Sequence, residues 1–90
     1  MKNECWGEVI DLLQNQQSVD ALQALMGVLL TREEREAVGS RLAIMRALLA
    51  GDESQRDIAR RLGVSIVKVT RCSNYLKTLS NTEMTMIQPI

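Results

Sequence analysis

Residues 55–72 set the tightest limit on what this chain can fold into. With Gln55 as the first position, the fifth is Ala59 and the ninth is Gly63; positions four, eight, ten, fifteen and eighteen are Ile58, Leu62, Val64, Val69 and Cys72. Two short helices that cross steeply need this arrangement. A small side chain must stand where the second helix passes over the first. The turn needs a residue at ease with left-handed backbone, and the inward faces need apolar side chains. All of these places are filled suitably, so the segment predicts a helix-turn-helix. Ser54 opens its first helix and Gly63 ends it; Ser65 caps the second, which is expected to run to about residue 79.

The remainder also reads as helix, without strand-like alternation and with its single proline, Pro89, next to the end. Trp6, Val9, Ile10 and Leu13 recur at helical spacing and predict a first helix over 4–15, weakened slightly by Gly7. A polar run at 14–18 breaks it. Ser18 is placed to cap a second helix with Leu22, Leu25, Met26 and Leu29 on one face. Thr31 and Glu34 form a T-x-x-E capping box that starts the third and longest helix. Val38, Leu42, Met45 and Leu49 make its apolar stripe, Ile44 and Leu48 widen it, and Gly51 is the expected stop. After Ser80 no periodicity stands out, and a frayed tail or a partial turn is expected over 80–90. The fold class is therefore all-α, about five helices in one domain over 1–90. Dimerisation helices occupy 1–50, the helix-turn-helix 54–79 and the tail 80–90.

A chain of 90 residues buries only a modest fraction of its surface alone. Its aromatic residues are Trp6 and Tyr75, so Leu, Ile, Val, Met and Ala must build the core. Such a thin helical core is often completed by a second copy, and a homodimer is expected, with Trp6 as a core or interface anchor. The chain has no His, which removes the commonest general base and metal ligand. Neither a Gly-rich phosphate loop nor a catalytic grouping of carboxylates is present, so neither an enzyme nor a metal site is expected. Cys5 and Cys72 form no CxxC pair and read as free thiols of a reducing cytoplasm. No signal-type leader is visible and the apolar runs are too short for a bilayer, so a cytoplasmic protein without a membrane partner is expected.

Net charge is zero, but the distribution is uneven. Residues 1–53 carry five basic and nine acidic side chains; residues 54–77 carry six basic ones (Arg56, Arg60, Arg61, Lys68, Arg71, Lys77) against Asp57 alone. A basic block on a helix-turn-helix is an electrostatic footprint for double-stranded DNA. The second helix would enter the major groove by its N-terminal end, with Ser65, Ile66, Val67, Lys68, Thr70 and Arg71 outward. Ile66, Val67 and the Thr70 methyl suit thymine methyls, Lys68 a guanine or phosphate, and Arg56 a bidentate guanine contact. Gln55 is placed for a phosphate, and Ala59, Asn74 and Lys77 complete the expected DNA-facing set. With so few polar base-readers, sequence is expected to be read partly through water and DNA shape.

Three segments resemble one known family. Residues 30–41 (LTREEREAVGSR) are similar to the third helix of the bacterial Trp repressor family, and residues 54–58 (SQRDI) to its first helix-turn-helix helix. Thr70-Arg71, Ser73-Asn74 and Leu76-Lys77 resemble its recognition helix, and the likeness runs without gaps over 6–77. The resemblance implies an interlocked, all-helical homodimer that binds operator DNA as a repressor of tryptophan-related operons, with L-tryptophan as co-repressor. It also implies site residues. Arg41 and Arg71 would sandwich the indole, as guanidinium planes stack on aromatic faces. Thr31 and Arg71 would contact the carboxylate, and the carbonyls of Val28 and Leu30 from the partner chain would accept the ammonium. Two positions depart from the family's usual pattern: Cys72 stands where it has Gly, and Tyr75 where it has Ser. Two further readings therefore stay open: an effector-independent transcription factor with Tyr75 filling the pocket, and a dimeric protein-interaction module without DNA binding.

Overall fold

The computed structural model describes residues 4–90; residues 1–3, including Lys2 of the charge count above, lie outside the described residues. Every regular element among them is helical: α1 (Glu4–Gln14), α2 (Val19–Leu29), α3 (Arg32–Ala50), α4 (Gln55–Leu62), α5 (Ile66–Leu76) and α6 (Asn81–Met86).

The helices begin where the sequence supplies caps. Ser18, Ser54 and Ser65 stand in extended backbone, and each hydroxyl oxygen accepts the N–H three residues on, at Ala21, Asp57 and Lys68. At α3 the capping box is complete: Thr31 Oγ1 accepts the Glu34 N–H at 3.1 Å, and Glu34 Oε1 accepts the Thr31 N–H at 2.8 Å. The expected stops also hold. Gly51 and Gly63 lie at φ 75° and 67°, a region that costs other L-residues roughly 1–2 kcal/mol. Beyond Gly63 the Val64 N–H donates to the Ala59 carbonyl at 3.0 Å and closes the turn.

The chain divides into two compact units, 1–35 and 36–90. In the first, α1 and α2 carry the predicted apolar stripes, yet none of their described side chains is buried. Trp6 is 66% exposed, Val19 77% and Val28 81%. Ile10, Leu13, Leu22 and Met26 line an open apolar groove, and Trp6, Val9, Leu29 and Leu30 border a second one.

The second unit holds the core. Ile44, Met45 and Ala47 of α3 meet Ile58 and Ala59 of α4 and Val69, Cys72 and Leu76 of α5, with Leu48, Leu49, Leu62 and Val64 packed around them. Ile44, Ile58 and Val69 are completely enclosed. Val38, near the start of the α3 stripe, remains 49% exposed.

Two departures from the sequence reading stand out. Helix α5 stops at Leu76 rather than near 79, in a turn where the Thr78 hydroxyl donates to the Tyr75 carbonyl at 2.7 Å. The larger correction is α6, which makes six helices among the described residues where about five were expected and gives residues 81–86 regular structure in place of a frayed tail or a partial turn. Ser80 Oγ accepts the Glu83 N–H at 3.1 Å and Glu83 Oε1 accepts the Ser80 N–H at 2.9 Å, a second capping box. Leu79 and Ile87 pack against the core, and Arg46 Nε donates to the Ile87 carbonyl at 2.7 Å.

Ahead of α4, Arg61 grips Glu53 through two hydrogen bonds of 2.8 and 2.7 Å. The hydrogen bonding holds the Glu53 carboxyl below its ordinary 4.5, against partial desolvation and with help from the opposite charge. A lowered carboxyl stabilises the fold above its unfolded value and loses that contribution as pH falls through the lowered one. Glu53→Gln should therefore be less stable than the parent at neutral pH, with the difference closing in acid well below pH 4.5, as read by urea unfolding at both pH values. In the core, Ile58→Ala should lower unfolding free energy by about 2–5 kcal/mol in the same measurement, because truncating a completely enclosed side chain removes buried apolar surface and leaves a cavity.

Candidate nucleic-acid interface and adjoining cavity

Helix α5 has two unlike faces. Val69, Cys72 and Leu76 are buried. At roughly 100° of turn per residue, the opposite face carries Val67, Thr70, Arg71 and Asn74, with Ile66 at one edge, and all five are exposed. Lys68, half-buried, stands at the other edge. The structure thus brings the expected DNA-facing residues of this helix to one side. Ser65 lies at its tip, its hydroxyl oxygen occupied by the Lys68 N–H at 3.1 Å, so its proton remains to donate.

The start of α4 is tied to this face. The Thr70 hydroxyl donates to Gln55 Oε1 at 3.0 Å, joining residues fifteen apart in sequence. Gln55, half-buried, keeps its amide N–H donors. Arg56 is exposed beside it. Ala59 has the opposite character: at 8% exposure it belongs to the core beneath the helix crossing. Its expected place on the DNA surface is corrected accordingly, because the small side chain that permits the crossing is covered by it.

The six basic side chains of 54–77 separate into two groups. Arg61 is committed to Glu53, and Arg60 reaches Asp57 at 3.3 Å. Among the described residues no hydrogen bond or ion pair engages the side chains of Arg56, Lys68, Arg71 or Lys77. Four cations are thus left for an outside anion. Sequence counting missed this division because Glu53 lies just outside the basic block.

On the adjoining side of α5, still within the second unit, lies a cavity of about 390 Å³ lined by Arg41, Met45, Arg71, Cys72 and Tyr75. Two helical repeats build it. Arg41 and Met45 are one turn apart on α3, and Arg71 and Tyr75 one turn apart on α5. Met45 belongs to the apolar stripe of α3, and its four-residue spacing from Arg41 also sets it on the cavity side. Cys72 is 8% exposed, so most of its side chain is spent on the core, while Tyr75 is 57% exposed at the rim. Among the described residues no carboxylate lines the cavity, which sets two guanidinium groups beside a thioether, a thiol and a phenol. Such a lining suits a flat, anionic molecule.

The other expected ligand residues lie in the first unit and are not among those lining this cavity. Val28 is exposed, the Leu30 N–H donates to the Met26 carbonyl at 2.9 Å, and Thr31 caps α3 while keeping its hydroxyl proton. No group of three or more Cys, Asp or Glu suited to a metal ion occurs among the described residues, and no described helix is long and apolar enough to cross a membrane.

Residues 4–90 match the family described as Trp repressor protein. The chain is 44% identical over 82 residues to a Trp operon repressor homolog of Chlamydia trachomatis serovar D, covering 88% of this chain and 87% of that one. It is 42% identical over 76 residues to the Trp operon repressor homolog of Vibrio vulnificus strain YJ016, covering 84% and 74%. A third relative, from Vibrio cholerae, is 41% identical over 78 residues, covering 87% and 76%. The helix-turn-helix, its free cations and these likenesses agree: the chain belongs to the Trp repressor family and is a transcriptional repressor of that type.

Proposed function

We propose that this repressor acts in the cytoplasm as a homodimer, binds a palindromic operator of tryptophan-related genes, and takes L-tryptophan as co-repressor in the cavity between α3 and α5. The observation that carries the ligand is the lining itself: Arg41 and Arg71, with no carboxylate among the described lining residues, around a space of about 390 Å³. That volume is within the usual range of small-molecule sites. The guanidinium planes would hold the indole, Arg71 and the Thr31 hydroxyl the carboxylate, and the carbonyls of the partner's Val28 and the partner's Leu30 the ammonium. When bound, the amino acid supplies a rigid filler that fixes α5 against α3. Cys72 and Tyr75 are compatible with it, since Cys72 is largely spent on the core and Tyr75 is more than half outside.

Dimerisation is supported by the bare stripes of α1 and α2 and by exposed Val38. An apolar side chain left in water forgoes about 1.5–3 kcal/mol, and a second copy is the economical cover for a self-complementary face. DNA contact is supported by the free side chains of Arg56, Lys68, Arg71 and Lys77 around α5.

Calorimetric titration with L-tryptophan should give one binding event per chain, lost in Arg41→Ala, and tryptophan should tighten binding to an operator duplex obtained by in vitro selection. Silence in both measurements would sink the effector; tryptophan binding by Tyr75→Ser alone would favour the pocket-filling reading. On DNA, Arg56→Ala should cost about 1–3 kcal/mol of affinity and relax sequence preference at one position. Lys77→Ala should instead weaken all duplexes alike and reduce the salt dependence by about one counterion. Absence of salt-dependent duplex binding by the parent protein would point to the protein-interaction module.

A further inference from the structure

We infer that residues 77–87 form a strap that sets the spacing of α3 and α5 across the cavity, with Arg46 as its clasp and as a positioning residue for the guest. The inference rests on the tryptophan site proposed above. It adds to that site a part of the fold, outside the lining, that governs how tightly a guest is held.

At six residues α6 falls far below the roughly 12–15 at which an isolated helix becomes even marginal in water. Its order comes from its ends. At the start, Ser80 and Glu83 close the capping box. At the finish, Arg46 Nε donates to the Ile87 carbonyl at 2.7 Å in a half-buried setting, joining residues 41 apart in sequence. The last carbonyls of a helix lack partners within it, and a cation suits that end of the helix dipole. α6 has no basic residue in its own last turn, and Arg46 of α3 supplies one from outside. Leu79 and Ile87, packed on the core, hold the two flanks of the segment.

The points of attachment give the strap its meaning. The segment leaves α5 after buried Leu76 and returns to α3 at Arg46. Met45 precedes Arg46 and Tyr75 precedes Leu76, and both line the cavity. The strap is thus fastened to each wall one residue beyond a lining side chain. Such a tether limits how far the C-terminal end of α5 can move from α3.

A guest held by Arg41 of α3 and Arg71 of α5 needs the two walls at one separation. With the strap docked, that separation is preset. With it loose, binding must also order α5, and the apparent affinity falls in proportion to the fraction of molecules already arranged. Arg46 is not among the lining residues, so it acts on the guest through α6.

The test loosens the strap from either end in the full chain and reads two quantities, calorimetric affinity for L-tryptophan and hydrogen exchange of the α6 amides. Arg46→Met removes the clasp, and Ser80→Ala removes the cap at the far end while every charge stays in place. Both should speed exchange in α6, leave α3 protected, and weaken tryptophan roughly three- to tenfold, as when the competent arrangement is held for about a third to a tenth of the time. Arg46→Lys, which keeps a charge and a donor, should restore most of the affinity. Faster α6 exchange with unchanged tryptophan affinity would overturn the strap. So would weakening by Arg46→Met alone while Ser80→Ala frees α6 without effect, since the charge of Arg46 would then be the cause. Should Arg46→Met fail to fold, Ser80→Ala decides the matter. A parent protein that binds no tryptophan would remove the co-repressor reading and the positioning role together, whatever the exchange of α6.

Discussion

The packing of Ile58 and Val69 against Ile44 is the contact on which the rest depends. These three side chains are completely enclosed, and they come from three different helices. They hold the two helices of the helix-turn-helix to α3. The small side chain of Ala59 lets the crossing close, and Gly63 lets the chain turn between them at φ 67°. Once that contact is made, the outward face of α5 and the side that borders α3 are both determined. The outward face and the cavity are two sides of one packed rod.

Electrostatics then sorts what the packing has arranged. Arg61 is used inside the protein, where it ties the loop before α4 to that helix through Glu53. Such an exposed pair contributes modestly to stability, but it takes one cation out of the binding surface. Arg41 and Arg71 face the opposite situation, lining a cavity with no carboxylate among its described lining residues. A neutral chain can thus serve a polyanion because its carboxylates are mostly elsewhere, and because those close by are matched to particular arginines.

Much of this was legible in the residues. The caps at Ser18, Thr31, Ser54 and Ser65 and the stops at Gly51 and Gly63 are local chemistry, and local chemistry is written in local sequence. The crossing of α4 and α5 was legible for a related reason: few residues tolerate it. Helix α6 was missed because six residues are too few to display a period, although Ser80 and Glu83 spell the signature that identified α3. The Arg46 bond to the Ile87 carbonyl and the Gln55 bond to Thr70 were not legible, since each joins residues that only the fold brings together. Ala59 shows the opposite hazard. It was given two roles, at the crossing and on the surface, and the crossing excludes the second.

One helix, α5, carries both Arg71, Cys72 and Tyr75 of the cavity and Ile66, Val67 and Thr70 of its outward face within eleven residues. Thermodynamic linkage makes such sharing reciprocal. If a guest in the cavity strengthens the grip on DNA by some factor, the operator must strengthen the grip on the guest by that same factor. The operator would then be an effector in its own right, and a repressor seated on its site would surrender its small molecule more reluctantly than one free in solution.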